Sequence, residues 1–143
     1  MKVSEVLREK GRAVETVAVT TNLAEVIRRF VDKRVRSLVV TDNGGVVGMV
    51  SQKDVLRRIN EQGARALRES VSETMSSHVI SVALDTPVEE IERIFLEKRI
   101  NHIPVVEGQE LVGIVTPADV LDSHLHDVRD LNDHLLHYVY TGG

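Results

Sequence analysis

The chain repeats itself, and that repetition limits its fold more than any other feature. A shift of 65 residues lays the segment 14–56 over the segment 79–121 without a gap. Under that shift Glu25 falls on Glu90, Arg28 on Arg93, Phe30 on Phe95, Lys33 on Lys98 and Arg34 on Arg99. Further along, Gly48 falls on Gly113, and Asp54, Val55 and Leu56 fall on Asp119, Val120 and Leu121. A period this long is not that of a solenoid. Two copies instead predict a pseudo-twofold pair in which each copy covers the other's apolar face.

Each copy carries the same order of elements. Leu23, Val26, Ile27, Phe30 and Val31 recur at three and four residues, as do Val88, Ile91, Ile94 and Phe95, so each stripe predicts an amphipathic helix. Two β-branched runs follow in the first copy, 38–41 and 46–51, around Asp42-Asn43-Gly44-Gly45, whose Asn-Gly step suits a tight hairpin. The second copy offers 103–106 and 111–116 around Glu107-Gly108-Gln109-Glu110. A helix begins after each hairpin, near Ser51 and near Thr116, and a short strand precedes each first helix, at 16–19 and 80–82. The expected fold class is therefore mixed α/β (α+β), two tandem β-α-β-β-α units. The divisions expected are an N-terminal helix over 1–12, the first copy over 13–66, a linker over 67–77, the second copy over 78–128 and a helical extension over 129–143.

Composition removes whole chemistries. There are no cysteines, hence no disulfide, thiolate metal site or cysteine nucleophile. The net charge of -4 and the mere four aromatic residues argue against nucleic acid as a partner. No apolar run approaches a membrane span, so the expectation is a cytosolic protein with no membrane partner.

The chemistry concentrates in two strings, Gly48-Met49-Val50-Ser51-Gln52-Lys53-Asp54 and Gly113-Ile114-Val115-Thr116-Pro117-Ala118-Asp119. One reading is structural: Ser51 and Thr116 are good N-caps, and a carboxylate at the third helical position completes a capping box. The other is a ligand site, since a helix start presents unpaired N–H groups, a hydroxyl can meet an anionic oxygen, and a carboxylate can accept both hydroxyls of a ribose. Gly48 and Gly113 stand inside strands, which commonly marks the close approach of a ligand or of another backbone. No histidine lies beside Ser51 within its motif and no paired carboxylates stand out, so no catalytic residues are expected.

The duplicated unit ending in Gly, two apolar residues, Ser or Thr, two variable residues and Asp resembles the cystathionine β-synthase (CBS) domain, as does the string His102-Ile103-Pro104-Val105-Val106. The opening VSEVLREKG and the tail LNDHLLHYVYTGG are similar to those of stand-alone CBS pairs, including the plant CBSX type. The resemblance implies two CBS repeats packed as a pseudo-twofold Bateman module, commonly a homodimer. It also implies clefts that take AMP, ADP, ATP, NAD(H) or S-adenosylmethionine as regulators, with no cofactor required. It gives Asp119 and Thr116 the ribose and phosphate of one cleft, with Val79, Ile80 and Ser81 against the adenine and Asn101, His102, Ile103 and Pro104 at the hairpin opening. In the other cleft the corresponding residues are Asp54 and Ser51, with Val14, Thr16, Arg36, Ser37 and Leu38. Glu15, should it face that first cleft, would disfavour an anion there, which points to the second. A regulatory output would act on a separate protein. Two further readings stand beside this one: an interaction module with empty clefts, and metal binding through His126, Asp130, His134 and His137 on one face of the last helix.

Overall fold

The computed structural model describes residues 1–140, apart from the side chains of Asp130, Tyr138, Val139 and Tyr140. Helix α1 (Val3–Lys10) ends at Gly11, whose φ of 98° turns the chain away. The first copy then runs β1 (Thr16–Ala18), α2 (Leu23–Lys33), β2 (Ser37–Asp42), β3 (Gly45–Ser51) and α3 (Gln52–Gln62). Two short 3₁₀ turns, Gly63–Arg68 and Val71–Glu73, make the linker. The second copy follows with α4 (Val88–Lys98), β4 (Ile103–Glu107), β5 (Glu110–Val115) and α5 (Pro117–Tyr140).

The hairpins form as the turn residues dictate. Asn43 and Gly44 both take positive φ, 50° and 83°, matching a two-residue turn between twisted antiparallel strands. In the second copy Gly108 alone does so, with φ of 61°. Each hairpin carries a bulge at the same place, between Val40 and Thr41 and between Val105 and Val106. In the register, Gly48 lies opposite Val40 and Gly113 opposite Val105.

The strand expected at 80–82 shrinks to a single parallel bridge, Val82 to Val105, so the first sheet has three strands and the second has two. Proline is the reason. In the first copy the Val39 N–H donates to the Glu15 carbonyl at 3.3 Å. The residue equivalent to Val39 is Pro104, which has no N–H, so the Ile80 carbonyl receives no such bond and pairing begins only at Val82.

Each copy has its own core. Leu38, Val40 and Val50 meet Val26, Phe30 and Val55 in the first, and Ile103, Val105 and Val115 meet Val88, Ile91 and Val120 in the second. Val39, on the opposite face of β2, is also fully buried, and β3 lies against β5, so the two sheets cover one another as the duplication predicts.

The segments outside the two repeats cap these cores. Val3, Val6 and Leu7 of α1 are buried in the second copy's core, with the Val3 N–H donating to the Thr86 carbonyl at 2.9 Å and the Ser4 N–H to the Leu84 carbonyl at 2.9 Å. In the same way Ala66 and Val71 of the linker close the first copy's core. The chain therefore begins by packing on its own second half. From His124 onward the described side chains of α5 are exposed, and among the described residues no helix is long and apolar enough to cross a membrane.

Candidate functional site

Both motifs fold as capping boxes. The Ser51 N–H donates to Asp54 Oδ2 at 2.9 Å, while the Asp54 N–H donates to Ser51 Oγ at 3.2 Å. At the second motif the Thr116 N–H donates to Asp119 Oδ2 at 2.8 Å and the Asp119 N–H to Thr116 Oγ1 at 3.3 Å. Each aspartate thus has a structural role whatever else it holds. Ser51 Oγ serves as an acceptor here, which leaves its O–H able to donate outward.

The strand glycines are explained by protein rather than by ligand. A Cβ on Gly48 would stand 2.9 Å from the Ser76 carbonyl oxygen, where the linker pairs with β3 through Met49 N–H to Ser76 O at 2.9 Å and Ser76 N–H to Met49 O at 2.8 Å. A Cβ on Gly113 would stand 2.6 Å from Cδ1 of Leu7 in α1. Glycine is needed in each copy because a neighbouring segment lies directly on the strand.

The two motifs then part company. Around Ser51 and Asp54 opens a cleft of about 690 Å³, within the usual range for small-molecule sites. One wall is first-copy chain, Arg36, Ser37 and 49–54; the other is second-copy chain, His78, Val79, Ile80 and 99–102. The cleft is therefore composite. Arg36, Ser37, Ser51 and Asp54, expected in one cleft, meet Val79, Ile80, Asn101 and His102, expected in the other. The first motif faces residues of the second copy and not those of its own β1.

Other expected residues lie elsewhere. Leu38 and Ile103 are fully buried in the two cores, because alternate residues of a strand point to opposite faces. Ser81 is exposed, and neither Val14 nor Thr16 lines the cleft. Glu15 does not line it either: its carboxylate lies 3.9 Å from Arg29, so the anticipated repulsion of an anion is absent. Pro104 is buried and, having no N–H, gives no strand bond to the carbonyl of Ile80, a residue that lines the cleft. Thr116 and Asp119 stand outside this cleft.

Charge in the cleft opposes that of the whole chain. Arg36, Lys53 and Arg99 line it with His78 and His102, against the lone carboxylate of Asp54. Lys53, His78 and Arg99 were not anticipated, although one signal was present. Arg99 and its repeat equivalent Arg34 both adopt left-handed φ, 53° and 55°, at helix ends where glycine or asparagine is the easier choice. Burial holds the His102 imidazole below its ordinary value; Lys10 and Arg36 reinforce this and Asp119 opposes it. The Ser37 hydroxyl is buried on the cleft wall and finds no hydrogen-bond partner among the described residues, a group that a bound ligand could satisfy.

The histidine-rich helix does not assemble a metal centre from its described residues. His124 Nε2 lies 2.5 Å from Glu92 Oε1, and His126 Nε2 lies 3.8 Å from Glu9 Oε1. Among the described residues no cluster of three potential ligands comes together; the side chain of Asp130 lies outside them.

Comparison with known proteins agrees with this architecture. The family model for the CBS domain matches residues 3–61 and 71–126. The mitochondrial CBS domain-containing protein CBSX3 of Arabidopsis thaliana is 26% identical over 149 residues, covering 98% of this chain and 72% of its own length. The chain spans 20 to 33% of the length of some other curated relatives. Among solved structures, a CBS-domain protein from Agrobacterium tumefaciens superimposes with a TM-score of 0.81 at 30% identity, over 87% of this chain and 99% of its own. The structure of CBSX2 in complex with AMP superimposes with a TM-score of 0.75 at 26% identity, over 87% of this chain and 96% of its own.

Proposed function

The chain belongs to the CBS domain family, and on that premise we propose that it is a non-catalytic regulatory module that binds an adenine nucleotide in the composite cleft and acts on a separate partner protein. The observation that carries this reading is the cleft itself, in which the helix start, the Asp54 carboxylate and the cations Arg36 and Lys53 of one copy face Val79, Ile80, Arg99 and His102 of the other.

Each part of a nucleotide has a matching surface. Val79 and Ile80 offer an apolar wall for a purine, and the Ile80 carbonyl, lacking a donor from Pro104, can accept from an exocyclic amine. Among the described residues Asp54 Oδ1 is ion-paired to Arg57, at 3.6 Å on a side chain that is 67% exposed, so it remains able to accept from a ribose hydroxyl. Phosphate oxygens would meet the outward O–H of Ser51 and the cations Arg36, Lys53 and Arg99. That excess of positive charge favours AMP, ADP or ATP over S-adenosylmethionine, whose sulfonium it repels. The AMP held by CBSX2, a relative of the same fold, is consistent with this choice. Within the cleft, Ser51 Oγ is bonded to the Asp54 N–H and not to a histidine.

A homodimer is the assembly that fits the surface. Val31 and Leu96 are repeat equivalents, exposed by 69% and 80%, and so are Leu56 and Leu121, exposed by 68% and 58%. Apolar side chains exposed at matched places in both copies offer a surface that a second copy of the chain would cover.

Calorimetry and thermal unfolding with AMP, ADP, ATP and S-adenosylmethionine test the nucleotide reading, comparing the unaltered protein with Asp54→Asn. Asparagine at this third helical position keeps an oxygen that can accept the Ser51 N–H, so the ligand-free cost should stay within about 1 kcal/mol, from the lost charge at the helix start. A nucleotide at a hundred times its Kd should add about 2.7 kcal/mol to the unaltered protein and much less to the variant. No response to any of the four would refute nucleotide binding and favour an interaction module with empty clefts.

A further inference from the structure

The two aspartates are equivalent in sequence but not in surroundings. Lys10, the last residue of α1, places its ammonium 2.5 Å from Asp119 Oδ2 and 2.7 Å from the Ile114 carbonyl oxygen. Asp119 Oδ2 also accepts from the N–H and the hydroxyl of Thr116, at 2.8 and 2.9 Å. Among the described residues no lysine pairs with Asp54, whose ion-pair partner is the exposed Arg57 at 3.6 Å. The residue 65 positions after Lys10 is Met75, which packs over Gly48 and carries no charge.

Lys10 is also held where it is. Leu7, one turn earlier, is buried against Gly113, Val3 and Val6 are buried beside it, and Gly11 ends the helix immediately after. The paired side chains are only 27% and 16% exposed, so the ion pair is partly shielded from water. A ribose diol is neutral. The Lys10 and Thr116 bonds to the Asp119 carboxylate all reach Oδ2, so a diol that meets both oxygens would have to displace the Lys10 ammonium from Oδ2 and strand it. Asp54 Oδ2 accepts the Ser51 N–H and, among the described residues, carries no such cation.

We infer that Lys10 is the residue that decides nucleotide stoichiometry: it occupies the second motif as an intramolecular cation, so that each chain takes one nucleotide, at Asp54, instead of two. This rests on the nucleotide reading above and goes beyond it, because the motif pattern is present in both copies and does not by itself separate them. The asymmetry comes from which segment covers which copy. The N-terminal helix brings a lysine to the second motif, whereas the linker brings a methionine to the first.

Titration of the full chain with AMP by isothermal calorimetry tests the inference. The unaltered protein should bind one AMP per chain, and Asp54→Asn should abolish that site. Lys10→Met keeps the apolar stem over the helix end but removes the charge, and should raise the count to two. Lys10→Gln should do the same, and serves if the methionine variant folds poorly. Lys10→Met combined with Asp54→Asn should retain one site, now lost on Asp119→Asn. Two sites in the unaltered protein, or one site in both Lys10 variants, would overturn the role of Lys10 while leaving nucleotide binding intact. Absence of heat in every variant would overturn both.

Discussion

Replacing the two strand glycines with alanine separates space reserved for a ligand from space filled by protein. Where an extended glycine faces open room, alanine stabilises by about 0.4–1 kcal/mol, because the unfolded chain loses freedom. Were Gly48 kept for a ligand, Gly48→Ala should follow that rule in ligand-free protein. The contacts predict the opposite sign. The new Cβ would stand 2.9 Å from the Ser76 backbone oxygen and 2.5 Å from Met75 Sδ. Overpacking of this kind costs about 1–3 kcal/mol. Moving Ser76 away also weakens its two backbone bonds to Met49, each worth about 1 kcal/mol. The expected loss is about 2–4 kcal/mol, a fall in Tm of about 5–15 °C for a chain of this size. Gly113→Ala meets side-chain atoms only, Leu7 Cδ1 at 2.6 Å and Cδ2 at 2.9 Å, which can shift more readily than a backbone. Its loss should fall near the lower end, about 1–2 kcal/mol. Urea unfolding of both variants without nucleotide reads the difference as a change in midpoint at constant slope. A Gly48→Ala protein as stable as its parent, or less affected than Gly113→Ala, would refute the packing argument.

Two further outcomes follow from the cleft and the surface. Since His102 is held below its ordinary imidazole value by burial, the ligand-free fold should lose stability through this residue as pH falls below about 6.5, where the unfolded chain takes up the proton first. A phosphate in the cleft reverses that preference: AMP affinity should rise as pH is lowered from about 8 to 6.5, with proton uptake detectable in buffers of different ionisation heat and lost in His102→Gln. An affinity that rises equally in His102→Gln would assign the effect to His78 or to the nucleotide itself. Sedimentation should give the mass of two chains, and Leu96→Glu with Leu121→Glu should give one chain at nearly unchanged Tm, because both positions are exposed in the single chain. A monomeric parent would remove the dimer.

What sequence alone determined is local or repetitive. The 65-residue register fixes the order of elements. Apolar spacing identifies α2 and α4, Asn43-Gly44 identifies the first hairpin, and Ser51 with Asp54 marks a helix start, because each of these depends on residues a few positions apart. Even the shortened strand at Val82 was implicit in Pro104, since a missing N–H needs no tertiary context. Tertiary structure decided which wall meets which motif. That Asp54 faces Ile80 and His102, that Glu15 turns to Arg29, and that Lys10 reaches across 109 positions to Asp119 depend on packing between distant segments. Motifs of one pattern acquired different surroundings there, because α1 brings Lys10 to Asp119 while the linker lays Met75 over Gly48, and no periodicity within either copy encodes what its neighbour will bring.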